Sequence, residues 1–302
     1  MKSKKLLLVL MLSTLSLLAG CGGSGGGDEG GSSTGTVSMS ITDAKPLLPV
    51  ENIDHFFIWI EEVLVHKSGS GWVTLPLPKR PNPEEPYQID LWQFYGGNTT
   101  ELVPPVPLEK GKYTQVRLVV NSALLVINGT SYEVSIPSES LKTDQNFEFD
   151  VDKKAVDITI DFDLSKSLVL EGAPGSESYK LKPVLHIVMT ENAATIEGTI
   201  SEGIADKQKF RDDYVVITVF TQIDSEEYTK LRVDLNKDDT GKKIETKYSI
   251  FWLVPDQSYR VEIDYDPATN SFPGFDTGSK IVDPNDFIIQ LDETKVATVD
   301  FP

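Results

Sequence analysis

The chain contains a single cysteine, Cys21, directly after Leu18-Ala19-Gly20. Lys2, Lys4 and Lys5 open the sequence, and an apolar run follows from Leu6 to Leu18. A basic start, a short apolar core and a small-residue cleavage site make a secretory signal. A cysteine immediately after that site makes it a lipoprotein signal. The expected chemistry is addition of a diacylglycerol to the Cys21 thiol, then cleavage that leaves Cys21 as the new N-terminus. The apolar run is too short for a comfortable membrane span, which needs about 20 residues. With its sulfur acylated, the remaining chain has no disulfide and no thiol nucleophile.

The other candidates for chemistry carry oxygen or imidazole. His55, His66 and His186 are the only histidines. Two of them with a carboxylate could hold zinc or serve as acid and base, but none has a His-Glu-x-x-His neighbourhood. A lone histidine on a strand is more often a packed or surface residue. Asp161 and Asp163 flank Phe162, and Asp150 and Asp152 flank Val151, so each pair points to one side of a strand. Such pairs could bind calcium or act as a glycosidase couple; the alternative is a solvated strand face. Asp234, Asn236 and Asp238, with Glu245 further on, echo the ligand spacing of an EF-hand loop. Asp239 stands where that loop turns on glycine, so a polar hairpin turn explains the stretch equally well. Trp92, Phe94 and Tyr95 could form a sugar-stacking platform or could be core. No nucleophile elbow, phosphate loop or dinucleotide fingerprint is present.

Composition narrows the partners. The chain has 28 basic and 46 acidic residues, a formal charge of -18. Without the three lysines of the signal the charge is -21. A body this acidic repels a phosphate backbone, which argues against nucleic acid, and repels anionic lipid headgroups. Acidity also keeps an envelope protein soluble.

The elements that must position these residues read as strands. Residues 21–35 are rich in glycine and serine and form a tether after the 1–20 signal. Val37, Met39 and Ile41 then alternate with serines. From Asn52 to His66 the residues are mostly β-branched or aromatic, with Ile53, Phe57, Trp59, Val63 and Val65 on one face and Phe56, Ile58 and Ile60 on the other. That pattern predicts a central strand covered on both sides, in preference to a helix. Five prolines between Pro76 and Pro86 make an extended loop. Asn128-Gly129 between apolar runs is a strong hairpin signal, because both residues accept positive φ. Val156 to Phe162 alternates cleanly, and Leu181 to Met189 closes the first block. A second block begins near Ala194 and runs through about seven short strands, including Thr195 to Ile200, Tyr214 to Phe220, Lys247 to Trp252, Phe287 to Leu291 and Val296 to Phe301. Two domains follow, at 36–190 and 194–302.

Five stretches carry a resemblance over the first domain. They are Ser40-Ile41-Thr42-Asp43-Ala44, Gly71-Trp72, Gly111 to Leu118, Asp161 to Ser167, and Tyr179 to Val184. On these the chain resembles the domain of unknown function 4382 family of prokaryotic lipoproteins, a likeness that implies no activity and no site residue. Ile196 to Ile200, Tyr248 to Pro255 and Ser258 to Val261 are similar to prealbumin-like, carboxypeptidase-regulatory modules. That likeness implies a seven-stranded Greek-key sandwich without catalysis of its own; Asp256-Gln257 replaces the glycine usual after the proline.

The resulting expectation is a mainly β protein of two antiparallel sandwich-like domains, held at the cell envelope through Cys21. In a Gram-negative cell the destination is the outer membrane. Its role is expected to be non-catalytic binding, adhesion or scaffolding toward an envelope protein or polysaccharide, with no cofactor. A carbohydrate-active or other hydrolase and a calcium-stabilised adhesin are the rivals.

Overall fold

The computed structural model describes residues 33–43, 52–137, 140–142, 148–152, 155–172, 176, 178–205, 213–221, 226–255, 257–264 and 296–301. Cys21, the tether, residues 173–175, Asp256 and the strand expected at 287–291 lie outside them.

The first block folds as β1 (Thr34–Thr42), β2 (Ile53–Lys67), β3 (Gly71–Leu75), β4 (Tyr87–Asp90), β5 (Thr100–Glu109), β6 (Gly111–Ile127), β7 (Thr130–Ser135), β8 (Ser140–Lys142), β9 (Phe149–Val151) and β10 (Ala155–Phe162). A one-turn helix α1 (Leu164–Ser167) leads to β11 (Leu168–Glu171), β12 (Ser178–Leu181) and β13 (Leu185–Met189). Two sheets result. One has the order β13-β10-β1-β5, and the other has nine strands built around the long β6–β2 pair. One apolar cluster gathers side chains from both sheets, including Met39, Ile41, Phe56, Leu118 and Ile160. Burying a residue of this size contributes about 1.5–3 kcal/mol.

The second block contains β14 (Ala194–Ile200), a single helical turn α2 (Glu202–Ala205), β15 (Tyr214–Thr221), β16 (Glu227–Asp234), β17 (Thr246–Leu253), β18 (Tyr259–Asp264) and β19 (Val296–Thr298). These form two three-stranded sheets, β17-β14-β19 and β16-β15-β18. They enclose a separate cluster that includes Ile196, Ile217, Ile250, Val261 and Phe301. Gly198 is needed there: a Cβ would lie 1.7 Å from the Val299 carbonyl oxygen, so only glycine lets the last chain segment run so close.

The protein is therefore mainly β, as the alternation indicates. Most pairings are antiparallel, while β1–β10, β12–β7 and β14–β19 run parallel. The hairpin turn at Asn128-Gly129 has φ of 48° and 72°, as a two-residue turn between twisted strands requires. In β2 the face assignment needs correction. The buried residues are Ile53, then Phe56, Ile58 and Ile60, then Val63 and Val65. The pairing with β6 shifts register around Ile60 and Glu62, and one extra residue there moves the inward face from even to odd positions. Phe57 and Trp59 are half-buried on the other side.

Candidate functional site

The residues best placed for chemistry lie on the four-stranded sheet where the second block covers it. Register puts Thr42 of β1 beside Asp161 of β10, and Asp161 beside His186 of β13. Residues directly opposite one another across neighbouring strands share a face. Asp163 follows β10 and caps α1: its Oδ1 accepts from the Lys166 amide at 3.1 Å and from the Ser165 hydroxyl. Asp43 ends β1. Its amide donates to the Phe94 carbonyl at 2.7 Å, and its Oδ1 accepts from the Leu164 amide at 3.0 Å.

All four groups are buried: Asp43 is 2% exposed, Asp161 5%, Asp163 0% and His186 5%. The cover comes from β16 and β17. The Tyr228 ring stacks on His186 with centroids 4.1 Å apart, and Tyr259 meets Tyr228 edge-on at 5.3 Å. Lys166 Nζ donates to the Glu227 carbonyl at 2.6 Å. Phe251 packs on Gly97, whose positive φ of 89° holds the backbone close; a Cβ there would meet the ring at 3.2 Å. The two blocks thus meet through an aromatic stack, a lysine tie and an acid-lined seam.

Electrostatics in the seam are one-sided. Burial pushes the Asp43 carboxyl well above its ordinary range, and Asp161 and Asp163 push it further, against the lowering effect of the Leu164 amide. Burial likewise raises the Tyr228 phenol, with Tyr259, Asp161 and Asp163 adding to it. His186 Nε2 lies 3.6 Å from Asp163 Oδ2, within charge-pair range but too far for a hydrogen bond. Among the described residues, Asp43 Oδ2, Thr229 Oγ1 and Trp252 Nε1 are buried with no hydrogen-bond partner.

Asp43, Asp161, Thr229 and Trp252 line one cleft along the seam, together with Gly96, Gly97, Ser249 and apolar side chains of the second block. Its water-sized interior is only about 20 Å³. That is room for roughly one water molecule. Trp252 reaches this cleft from strained backbone, with φ of 62°. The register between β14 and β17 shifts beside it, so a bulge turns the indole toward the seam. A bulky residue at positive φ persists only where its surroundings hold it.

The remaining candidates fall elsewhere. Asp150 and Asp152 are exposed beside β6, so the structure does not gather them with the buried Asp161 and Asp163. The solvated-face alternative describes the first pair and not the second. Asp234 pairs with Arg232 at 2.9 Å. Asn236 donates to the Glu245 carbonyl at 3.2 Å. Asp238 Oδ1 accepts from the Thr240 hydroxyl and from the amides of Thr240 and Lys242, and these bonds, the hydroxyl foremost, lower its pKa. The EF-hand-like spacing is thus a hairpin turn organised by its own backbone. His55 pairs with Asp90 at 2.6 Å and stacks on Phe57, while His66 meets Thr114 and Trp72. The three histidines stand apart. Trp92 and Phe94 pack against the first core, and Tyr95 alone of that trio is exposed. Among the described residues, no three of the His, Cys, Asp and Glu side chains gather as a metal-holding set.

Sequence reasoning singled out neither Asp43 nor Tyr228, Thr229 and Trp252 as seam residues, and only the first carried a signal. Asp43 continues the parity of Val37, Met39 and Ile41, so an acid was already marked as inward-facing.

Residues 34–183 match the family model described as Domain of unknown function (DUF4382). The match covers β1 to β12 and contributes Asp43, Asp161 and Asp163 to the seam, while His186 and the covering block lie beyond it. No curated protein matches the chain. Among solved structures, a leucine-rich repeat protein from Bacteroides thetaiotaomicron aligns at 10% identity over 77% of this chain, with a TM-score of 0.19. The chain spans 22% of that protein's length. A "putative adhesin" from Bacteroides ovatus aligns at 8% identity over 88% of this chain and 87% of its own, with a TM-score of 0.21. A second one, from Bacteroides thetaiotaomicron, aligns at 8% identity over 78% and 77%, with a TM-score of 0.18. Superpositions this loose carry no argument about fold or function.

Proposed function

We propose that the chain is a lipid-anchored protein of the cell envelope whose β body serves a non-catalytic binding, adhesion or scaffolding role. The observation that carries the non-catalytic reading is the size of the seam. The buried Asp43 and Asp161 line space for about one water between the two packed blocks, and the equally buried Asp163 and His186 lie outside that space. A glycan or peptide bond cannot be brought to groups enclosed in this way, so their work is in holding the body together. That weighs against the hydrolase reading of Asp161 and Asp163.

The anchoring half rests on Leu18-Ala19-Gly20-Cys21 after a basic, apolar leader. Two or three acyl chains on Cys21, palmitate among them, would hold the body at one leaflet, since a single chain binds only marginally. Gly22 next to the cysteine favours the outer membrane in a Gram-negative cell. The glycine-rich tether then gives the body a reach on the order of 20 Å from the surface. The second block serves as a prealbumin-like module extending the first toward an envelope protein or polysaccharide.

The test is Cys21→Ser. The variant should leave the detergent phase and remain as uncleaved precursor or soluble material. A variant that partitions and migrates like the wild type overturns the anchoring.

A further inference from the structure

The seam contains oxygens that the protein itself leaves unpartnered. Asp43 Oδ2 and Thr229 Oγ1 come from opposite sides of it, line the same cleft, and belong to residues only 2% and 3% exposed. Burying a carboxylate oxygen and a hydroxyl without a partner costs free energy on both sides of the joint. Asp161 brings a second carboxylate to the cleft wall. The interior of about 20 Å³ suits one small ion with at most a water.

We propose that the seam is a binding site for one calcium ion, which bridges the two blocks through Asp43 and Asp161 on one side and the Thr229 hydroxyl on the other. Two carboxylates match the charge of a divalent ion. The three proposed ligands are oxygens, as a hard cation wants, and calcium accepts irregular surroundings of carboxylate, hydroxyl and carbonyl oxygen; the Trp252 Nε1 donor on the same wall stays outside the set. Magnesium demands near-ideal octahedral geometry and keeps several waters, for which this space is too small. Imidazole stays outside the set, because His186 stacks on Tyr228 and does not line the cleft. The ion would also account for a strained Trp252 being kept on the cleft wall. The proposal does not depend on the lipid anchor and stands or falls separately from it.

The experiment uses the full chain purified in detergent, stripped with EDTA and returned to calcium or magnesium chloride. Calcium at 100 times its dissociation constant should raise the melting temperature by roughly 5–10 °C, from about 2.7 kcal/mol of linkage at about 2–4 °C per kcal/mol for a body of this size. Magnesium should do markedly less. Asp43→Asn and Thr229→Val should each weaken calcium binding, read by titration calorimetry, by about tenfold or more, roughly the weight of one ligand. If Asp43→Asn does not fold, Thr229→Val decides alone. Absence of any calcium shift in the wild type overturns the proposal. So does a calcium shift that survives in both variants, or one that Asp238→Ala removes, since the ion would then sit elsewhere.

Discussion

Asp161-Phe162-Asp163 and Asp234-Leu235-Asn236-Lys237-Asp238 look alike as strings: acidic or amide side chains at alternate positions around one or two others. The fold treats them in opposite ways. At the hairpin, Asp238 gathers a hydroxyl and two amides from its own turn and stays in water. At the seam, Asp161 and Asp163 are carried into the interior by the register of three strands, and Asp43 joins them from a position 118 residues before Asp161. Local spacing describes the first completely. Only tertiary packing describes the second. The comparison teaches that an acidic motif becomes a site where the fold buries its carboxylates together, not where the acids are densest.

The strongest way to break this comparison is Asp163→Ala. The side chain caps α1 from a fully buried position, and its loss leaves the Lys166 amide without its side-chain acceptor next to the lysine tie to Glu227. The Lys166 amide keeps the Asp163 carbonyl at 3.3 Å, but loss of the cap together with the Ser165 hydroxyl's bond to the buried carboxylate costs about 2–4 kcal/mol. The melting temperature should fall by roughly 5–15 °C. Asp163→Asn, which keeps an oxygen for the cap, should recover much of it. A melt for the alanine variant within about a degree of wild type would show that the seam is not structural.

The next test has the opposite sign. Burial and two neighbouring carboxylates raise the Asp43 pKa in the folded chain. The folded state therefore holds a proton that the unfolded state releases near pH 3.9, the usual aspartate value. Asp43 is tolerated at no cost below that pH, and stability is lost as pH rises toward the folded value. Asparagine does not titrate. In EDTA, Asp43→Asn should match the wild type near pH 4 and exceed it toward neutral pH, by an amount on the order of 1–3 kcal/mol. Urea melts at several pH values measure this directly. An asparagine variant that is weaker than wild type at every pH contradicts the electrostatic account.

The sequence made much of this fold legible, and the reasons are local. Period-two alternation predicts β1 and β10, and Asn128-Gly129 predicts the turn between β6 and β7, because each signal involves adjacent residues. The faces of β2 were not legible, since the bulge near Glu61-Glu62 leaves no signature in residue type. The same limit hid the seam. Asp161 and Asp163 are conspicuous as a pair, yet their burial depends on Tyr228 and Thr229 from another block. Asp43 carried a parity signal that an isolated strand cannot interpret, because an acid ending a strand is equally well a turn residue.

The smallest effect belongs to the hairpin and sharpens the contrast most. Asp238→Ala removes three hydrogen bonds at once, as many as any carboxylate here accepts from its own turn. Every group involved is exposed, so water replaces what is lost, and the melting temperature should move by only about a degree. Amide exchange reads the local change that the melt does not. The Thr240 and Lys242 amides should exchange faster, while Leu164, whose amide is held by Asp43, should be unaffected. The carboxylate pKa at Asp238, lowered foremost by the Thr240 hydroxyl, gives a second handle in the wild type. As pH falls through that value the turn loses its acceptor, and the same two amides should speed up together. If Asp238→Ala instead costs more than Asp163→Ala, the hairpin and not the seam organises the second block, and the ranking of the two acidic stretches is reversed.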